Sequence, residues 1–226
     1  MTISHASTRQ IVVRVPGASG AGYAKRLVQC LCEAGIDVHL ILSPNGRRLF
    51  VDELGMQTIS ATTILGRDCD RLTIYPYRDV GARLGSGSFR TDGMIVCPCS
   101  SNTLASVAAG LADNLLNRAA AVTLKERRRL ILVPREMPMS RIDLLNALRA
   151  SEGGAIICPA SPGFYMLPKS VDDLVDFVVG KLLDLIDVPH TLNTRWRGTP
   201  PNPAPPLAKG GLGGVGPREG RGTEHS

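Results

Sequence analysis

The residues of this chain that could do chemistry lie in short loops, each placed after an apolar run. Gly17-Ala18-Ser19-Gly20 follows Ile11 to Val15, Ser43 follows Asp37 to Leu42, and Ser100-Ser101-Asn102-Thr103 follows Gly93 to Cys97. Arg135-Glu136 follows Leu130 to Val133. Glycines admit close approach of backbone to ligand, and the unpartnered first N–H groups of a following helix favour an anion. The first loop therefore has the character of a phosphate cradle, with Ser19 as an added hydroxyl donor. The spacing Gly17, Gly20, Gly22 differs from the G-x-G-x-x-G dinucleotide fingerprint, and Ser43 stands where such a fold places an acid for the ribose. A mononucleotide is favoured, with Ser43 suited to a second phosphate contact. The plain alternative is a strand–helix turn that binds nothing.

Further along, Arg118 and Lys125 are seven residues apart on one helical face, so one pocket can use both. The run Arg127-Arg128-Arg129 has the pattern of a solvated helical face. Two carboxylates, Glu53 and Glu136, and the loop pair Phe164-Tyr165 complete the set. There is no G-x-S-x-G elbow, and no histidine stands at a strand exit where it could act as a base: His39 is inside a strand, His5 and His225 are near the ends, and His190 follows the last helix. Cys30 and Cys32, and Cys97-Pro98-Cys99, lack zinc-ligand spacing and fit structural thiols, so no metal is expected. The remaining parts suit chemistry on a phosphorylated substrate held beside a flat cofactor.

The elements that must position these loops alternate. Strands are predicted at 11–15, 37–42, 93–97, 130–133 and 155–158, and helices at 20–34, from Pro44, from Pro98 to about Gly110, within 113–129, at 140–151 and from Ser170. That order predicts one α/β domain, doubly wound and Rossmann-like, with a mostly parallel sheet. The stretch 55–84 is expected to hold a short helix and irregular chain. Residues 1–9 are expected to form an N-terminal extension, 10–197 the domain, and the Pro/Gly-rich 198–226 a disordered tail. A chain of 226 residues is long enough for such a core. A net charge of +6 with only 4% aromatics suits an anionic small molecule and argues against nucleic acid. No apolar run approaches membrane-spanning length, and six cysteines without a secretory signal point to a reducing, cytoplasmic setting.

Five phrases carry a more specific likeness: Gly17-Ala18-Ser19-Gly20, Cys97-Pro98-Cys99-Ser100, Leu124-Lys125-Glu126-Arg127-Arg128, Val133-Pro134-Arg135-Glu136 and Pro162-Gly163-Phe164-Tyr165. In this order and at these intervals the chain, from about Gln10 to Trp196, resembles the flavin prenyltransferases, the UbiX family. The resemblance implies a flavoprotein-type fold that holds reduced FMN and dimethylallyl monophosphate. It implies transfer of the prenyl group to N5 and C6 of the flavin with release of phosphate and without metal. The prenylated FMN would serve a UbiD-type decarboxylase, and the family's assemblies are large homo-oligomers, dodecamers, with sites at subunit junctions.

By position, the resemblance assigns Gly17, Ala18, Ser19, Ser43, Ser100, Ser101, Asn102, Thr103 and Arg135 to FMN. It assigns Ser86, Arg118, Lys125, Tyr165 and Lys181 to the prenyl phosphate, and Glu53, Glu136 and Trp196 to catalysis. Lys181 stands in for an arginine, keeping the charge without the bidentate fork. Pro44-Asn45 occupies the place of an expected basic residue, leaving the helix start to balance the FMN phosphate. On this reading Glu136, with a pKa raised by burial, acts as acid and then base. Each residue also has a plainer role: Glu53 a surface carboxylate, Glu136 an ion pair with Arg135, Tyr165 a core ring, Trp196 a plug. Two other functions stay open, an FMN-dependent decarboxylase, which would want a histidine base, and a non-catalytic flavin carrier.

Overall fold

The computed structural model describes residues 8–195. Six strands, β1 (Gln10–Val15), β2 (Asp37–Leu42), β3 (Leu72–Pro76), β4 (Gly93–Cys99), β5 (Arg129–Pro134) and β6 (Ala155–Ile157), form one sheet in the order β3-β2-β1-β4-β5-β6. Every pairing is parallel. The central strands are almost continuously apolar because helices cover both faces. Ile11, Val13 and Val15 turn toward α1 (Ala21–Glu33), α2 (Pro44–Leu54), α3 (Ala61–Leu65) and α7 (Val171–Leu185). Val12, Met94 and Val96 turn toward α4 (Ser101–Ala108), α5 (Leu115–Lys125) and α6 (Arg141–Glu152). Winding reverses between β1 and β4, so the crevice beyond their carboxyl ends is not crossed by a connection.

The five predicted strands are present. Sequence reasoning missed β3, which lies inside the stretch expected to be a short helix plus irregular chain. It is a five-residue edge strand after the charged run 67–71, it is only partly buried, and it ends in a proline whose missing N–H an edge tolerates. The basic triplet is also different from a helical face. Helix α5 ends at Lys125, Arg127 turns to a φ of 56°, and Arg128 donates to the carbonyls of Phe89 (2.8 Å) and Gly87 (2.6 Å). The tail 198–226, most of the extension 1–9, and Trp196 lie outside the described residues.

Among the described residues, six of the seven helices start at a side-chain cap: Ser43, Ser60, Ser100, Asn114, Ser140 and Ser170. Helix α1 starts instead at Gly20, whose φ of 120° suits glycine and whose side chain can cap nothing.

His39, on β2, is buried against Tyr75 and Phe89, with Nε2 2.9 Å from Gln10 Oε1. Burial, aided by the Arg83 guanidinium and opposed by Asp37, pushes its pKa down to about 4. A histidine that binds its proton less tightly when folded makes stability rise with pH between the folded and unfolded pKa values. The urea midpoint should therefore fall as pH drops from about 6.5 toward 4. His39→Leu should flatten that slope, as urea titrations across the range would show.

Candidate functional site

At the exit of β1, Gly17, Ala18 and Ser19 cross the end of the sheet, with Ala18 buried and the other two exposed. The N–H groups of Gly20 (2.9 Å) and Ala21 (2.8 Å) do not wait for a ligand. Both donate to Glu53 Oε2 from the end of α2. At the helix start where the sequence points to a phosphate cradle, a carboxylate of the same chain thus sits at the positive end of α1. Glu53 is thus more than a stray surface acid. Ser43 caps α2 by accepting from Gly46 N–H (2.8 Å) and donates its own proton to the carbonyl of Pro16 (2.5 Å). In this arrangement the one hydroxyl proton of Ser43 is directed at the Pro16 carbonyl.

At the exit of β4, Ser100 caps α4 by accepting from Thr103 N–H at 3.4 Å, and its hydroxyl donates to Thr103 Oγ1 at 3.1 Å. The exit of β5 reaches toward both earlier loops. Arg135 Nε donates to the carbonyl of Ser19 (3.1 Å), and Glu136 Oε2 accepts from the Ser101 hydroxyl (3.0 Å). Arg135 and Glu136 therefore point to different partners and do not form a simple ion pair. Residues from three strand exits are joined at the place where the winding reverses. Tyr23, absent from the sequence reading, belongs here as well. Burial, reinforced by Cys97 and opposed by the Arg135 guanidinium, pushes its phenol above the ordinary value.

Tyr165 sits in a single 3-10 turn, residues 164–166, with its ring edge-on to Phe177 of α7 at 5.6 Å; it is 48% exposed and so is not a core ring. Lys181, one helical turn beyond Phe177, is exposed, and its ammonium opposes the upward push that burial gives the Cys158 thiol at the exit of β6. Ser86, Arg118 and Lys125 come together elsewhere. With Gly85, Gly87 and Val122 they line a cleft of about 330 Å³, and Arg118 Nε donates to the Gly85 carbonyl at 2.9 Å. No strand-exit residue lines that cleft. Among the described residues no group of three or more His, Cys, Asp or Glu side chains could hold a metal ion.

The sequence matches the Flavoprotein family over residues 2–183. It is 45% identical to the flavin prenyltransferase UbiX of Halalkalibacterium halodurans over 188 residues, 81% of this chain and 91% of that protein. The chain belongs to the flavin prenyltransferase family. Its fold is shared with AnUbiX (PadA1), solved in complex with FMN and dimethylallyl pyrophosphate, at a TM-score of 0.75 and 38% identity, covering 85% of this chain and 99% of that one. A dodecameric FMN-dependent UbiX-like decarboxylase from Escherichia coli O157:H7 matches at a TM-score of 0.75 and 42% identity, over 84% of this chain and 100% of that chain.

Within this member of the family, Gly17, Ala18, Ser19, Ser43, Ser100, Ser101, Asn102, Thr103, Arg135 and Glu136 stand at the ends of neighbouring strands. Ser86, Arg118 and Lys125 form the separate basic cleft. Tyr165 packs its ring against α7, Lys181 lies on that helix, and Trp196 is outside the described residues. The paired N–H bonds to Glu53 generate a direct test. Glu53→Ala should lower unfolding stability by about 1 kcal/mol, the usual loss on removing a helix N-terminal acceptor. Glu53→Gln, which keeps an acceptor oxygen, should lose less; urea midpoints measure both.

Proposed function

We propose that this chain joins the dimethylallyl group of dimethylallyl monophosphate to N5 and C6 of reduced FMN, releasing phosphate. The observation that carries this reading is the joining of the β1, β4 and β5 exits by the Arg135–Ser19 and Ser101–Glu136 bonds. That crevice is where an open parallel sheet takes a nucleotide. Gly17, Ala18 and Ser19 would supply backbone amides, Ser100 to Thr103 the first turn of α4, and Arg135 a cation beside the flavin. Reduced FMN supplies the nucleophilic ring atoms when bound.

The remaining roles belong to this chain's own side chains. Arg118, Lys125 and Lys181 would offset the charge of the departing phosphate, with Tyr165 beside it. Glu136 would exchange a proton through Oε1, since Oε2 is engaged by Ser101. Trp196 would shield the allylic carbon, and Glu53 would act by fixing the start of α1.

The burial that an acid–base role for Glu136 was expected to use is missing in the single subunit, where this residue is exposed. The basic cleft is likewise apart from the strand exits. Both facts support an assembly in which a second copy brings its cleft to the crevice. Helix α6, next in sequence after Glu136, has an apolar strip suited to such contact: Leu144, 56% exposed, and Leu148, 54% exposed, stand one turn apart. The dodecameric relative makes a homo-oligomer, of dodecamer size, our reading for this chain. All six cysteines are free thiols, which fits the cytoplasm, and no described helix is long and apolar enough to cross a membrane. We further infer that the product serves a separate UbiD-type decarboxylase.

Incubated without oxygen with reduced FMN and dimethylallyl monophosphate, the protein should yield a flavin heavier by one prenyl unit in mass spectrometry. Return of unaltered FMN by folded protein would leave a carrier and refute the transferase. Glu136→Gln should bind FMN normally and turn over at least about a hundredfold more slowly, the usual contribution of a general acid–base. Leu144→Glu with Leu148→Glu should shrink the assembly in analytical ultracentrifugation and lower turnover with it.

A further inference from the structure

Strand β1 is one of the two central strands of the sheet, and its alternation places Val12 and residue 14 on the side covered by α4 and α5. Residue 14 is an arginine, 3% exposed, paired in register with Ile41 and Val96 on the flanking strands. Its guanidinium donates from Nη2 to Thr103 Oγ1 (3.2 Å) and from Nη1 to the carbonyl of Leu116 (3.4 Å). Nε is buried and has no partner among the described residues, as is true of Asn117 Oδ1 nearby. Burial pulls the guanidinium down to about 10, against the pull of Cys99 and Asp113, so the group remains charged at neutral pH. A buried cation with one nitrogen wholly unpartnered and no bonded carboxylate among the described residues is a poor stabiliser. An apolar side chain would serve the core better.

We propose that Arg14 is a positioning residue for the flavin-binding turn of α4: through Thr103 it fixes the hydroxyl of Ser100, and through Leu116 it ties that turn to α5. The inference rests on the reading of that turn as flavin-binding. A guanidinium can only donate, so Thr103 Oγ1 must accept from it. Ser100 Oγ donates into the same oxygen at 3.1 Å and accepts Thr103 N–H at 3.4 Å. Arg14 and Ser100 thus share the two lone pairs of Thr103 Oγ1. Ser100 faces the crevice as an acceptor, matched to a ligand N–H or O–H and not to a phosphate oxygen. The contact with Leu116 lies two residues before Arg118, so the same cation spaces the basic cleft from the crevice.

The test compares FMN binding with thermal stability, because a merely structural role would move the second. Binding of FMN is followed by quenching of flavin fluorescence, and the flavin absorption band reports its surroundings. Arg14→Met, which keeps length without charge, should weaken FMN binding about tenfold, the equivalent of one charge-assisted hydrogen bond. Its Tm without FMN should stay level or rise. Should Arg14→Met fail to fold, Thr103→Val interrupts the relay from its other end and should show the same weakening. Where both variants fold, the double variant should bind FMN no worse than either alone, since the two residues act in series. Additive losses, unchanged FMN affinity in Arg14→Met, or a fall in Tm without loss of affinity would overturn the relay alone. No FMN binding by the unmutated protein would instead refute the flavin reading on which it stands.

Discussion

The constraint on which the rest depends is the reversal of winding between β1 and β4. Chain leaving β1 turns to one face of the sheet, and chain leaving β4 turns to the other. Two loops are thereby left side by side with nothing laid over them. Whatever side chains those loops carry are held in common, and small polar residues there leave room for a ligand. The bonds from Arg135 to Ser19 and from Ser101 to Glu136 extend the same arrangement to the exit of β5. A rigid, dry sheet beneath them keeps the spacing fixed.

Much of this was legible in the sequence. Apolar runs with β-branched residues gave five strands, and the small polar residues after them marked their exits. Serines before helical periodicity marked most helix starts, which is why Ser43, Ser100 and Ser170 could be placed as caps or at helix openings. What escaped depends on tertiary contact. Strand β3 is short, peripheral and half exposed, so its pattern is too weak to separate from irregular chain. Arg14 was hidden in an apolar run, and only packing shows what a cation there touches. That Glu53 fills the end of α1 is a contact between residues more than thirty positions apart, which no local pattern encodes.

The distribution of charge follows from the same geometry. Besides Arg135 at the crevice, cationic side chains suited to a phosphate lie in two places, along the face of α5 and on α7. Neither place is the crevice itself. A single subunit thus presents the joined strand exits and a basic cleft on different parts of its surface. The exposed apolar side chains of α6 are what the proposed assembly would use to bring such parts together.

The pairing of Glu53 with the α1 amides has one more consequence. Because negative charge already sits at that helix start, the mouth of the crevice is electrically lopsided. An incoming anion is repelled on the α1 flank and attracted on the Arg135 flank. A long ligand with one ionised tail would accordingly enter in a single orientation, set before any of its neutral atoms make contact.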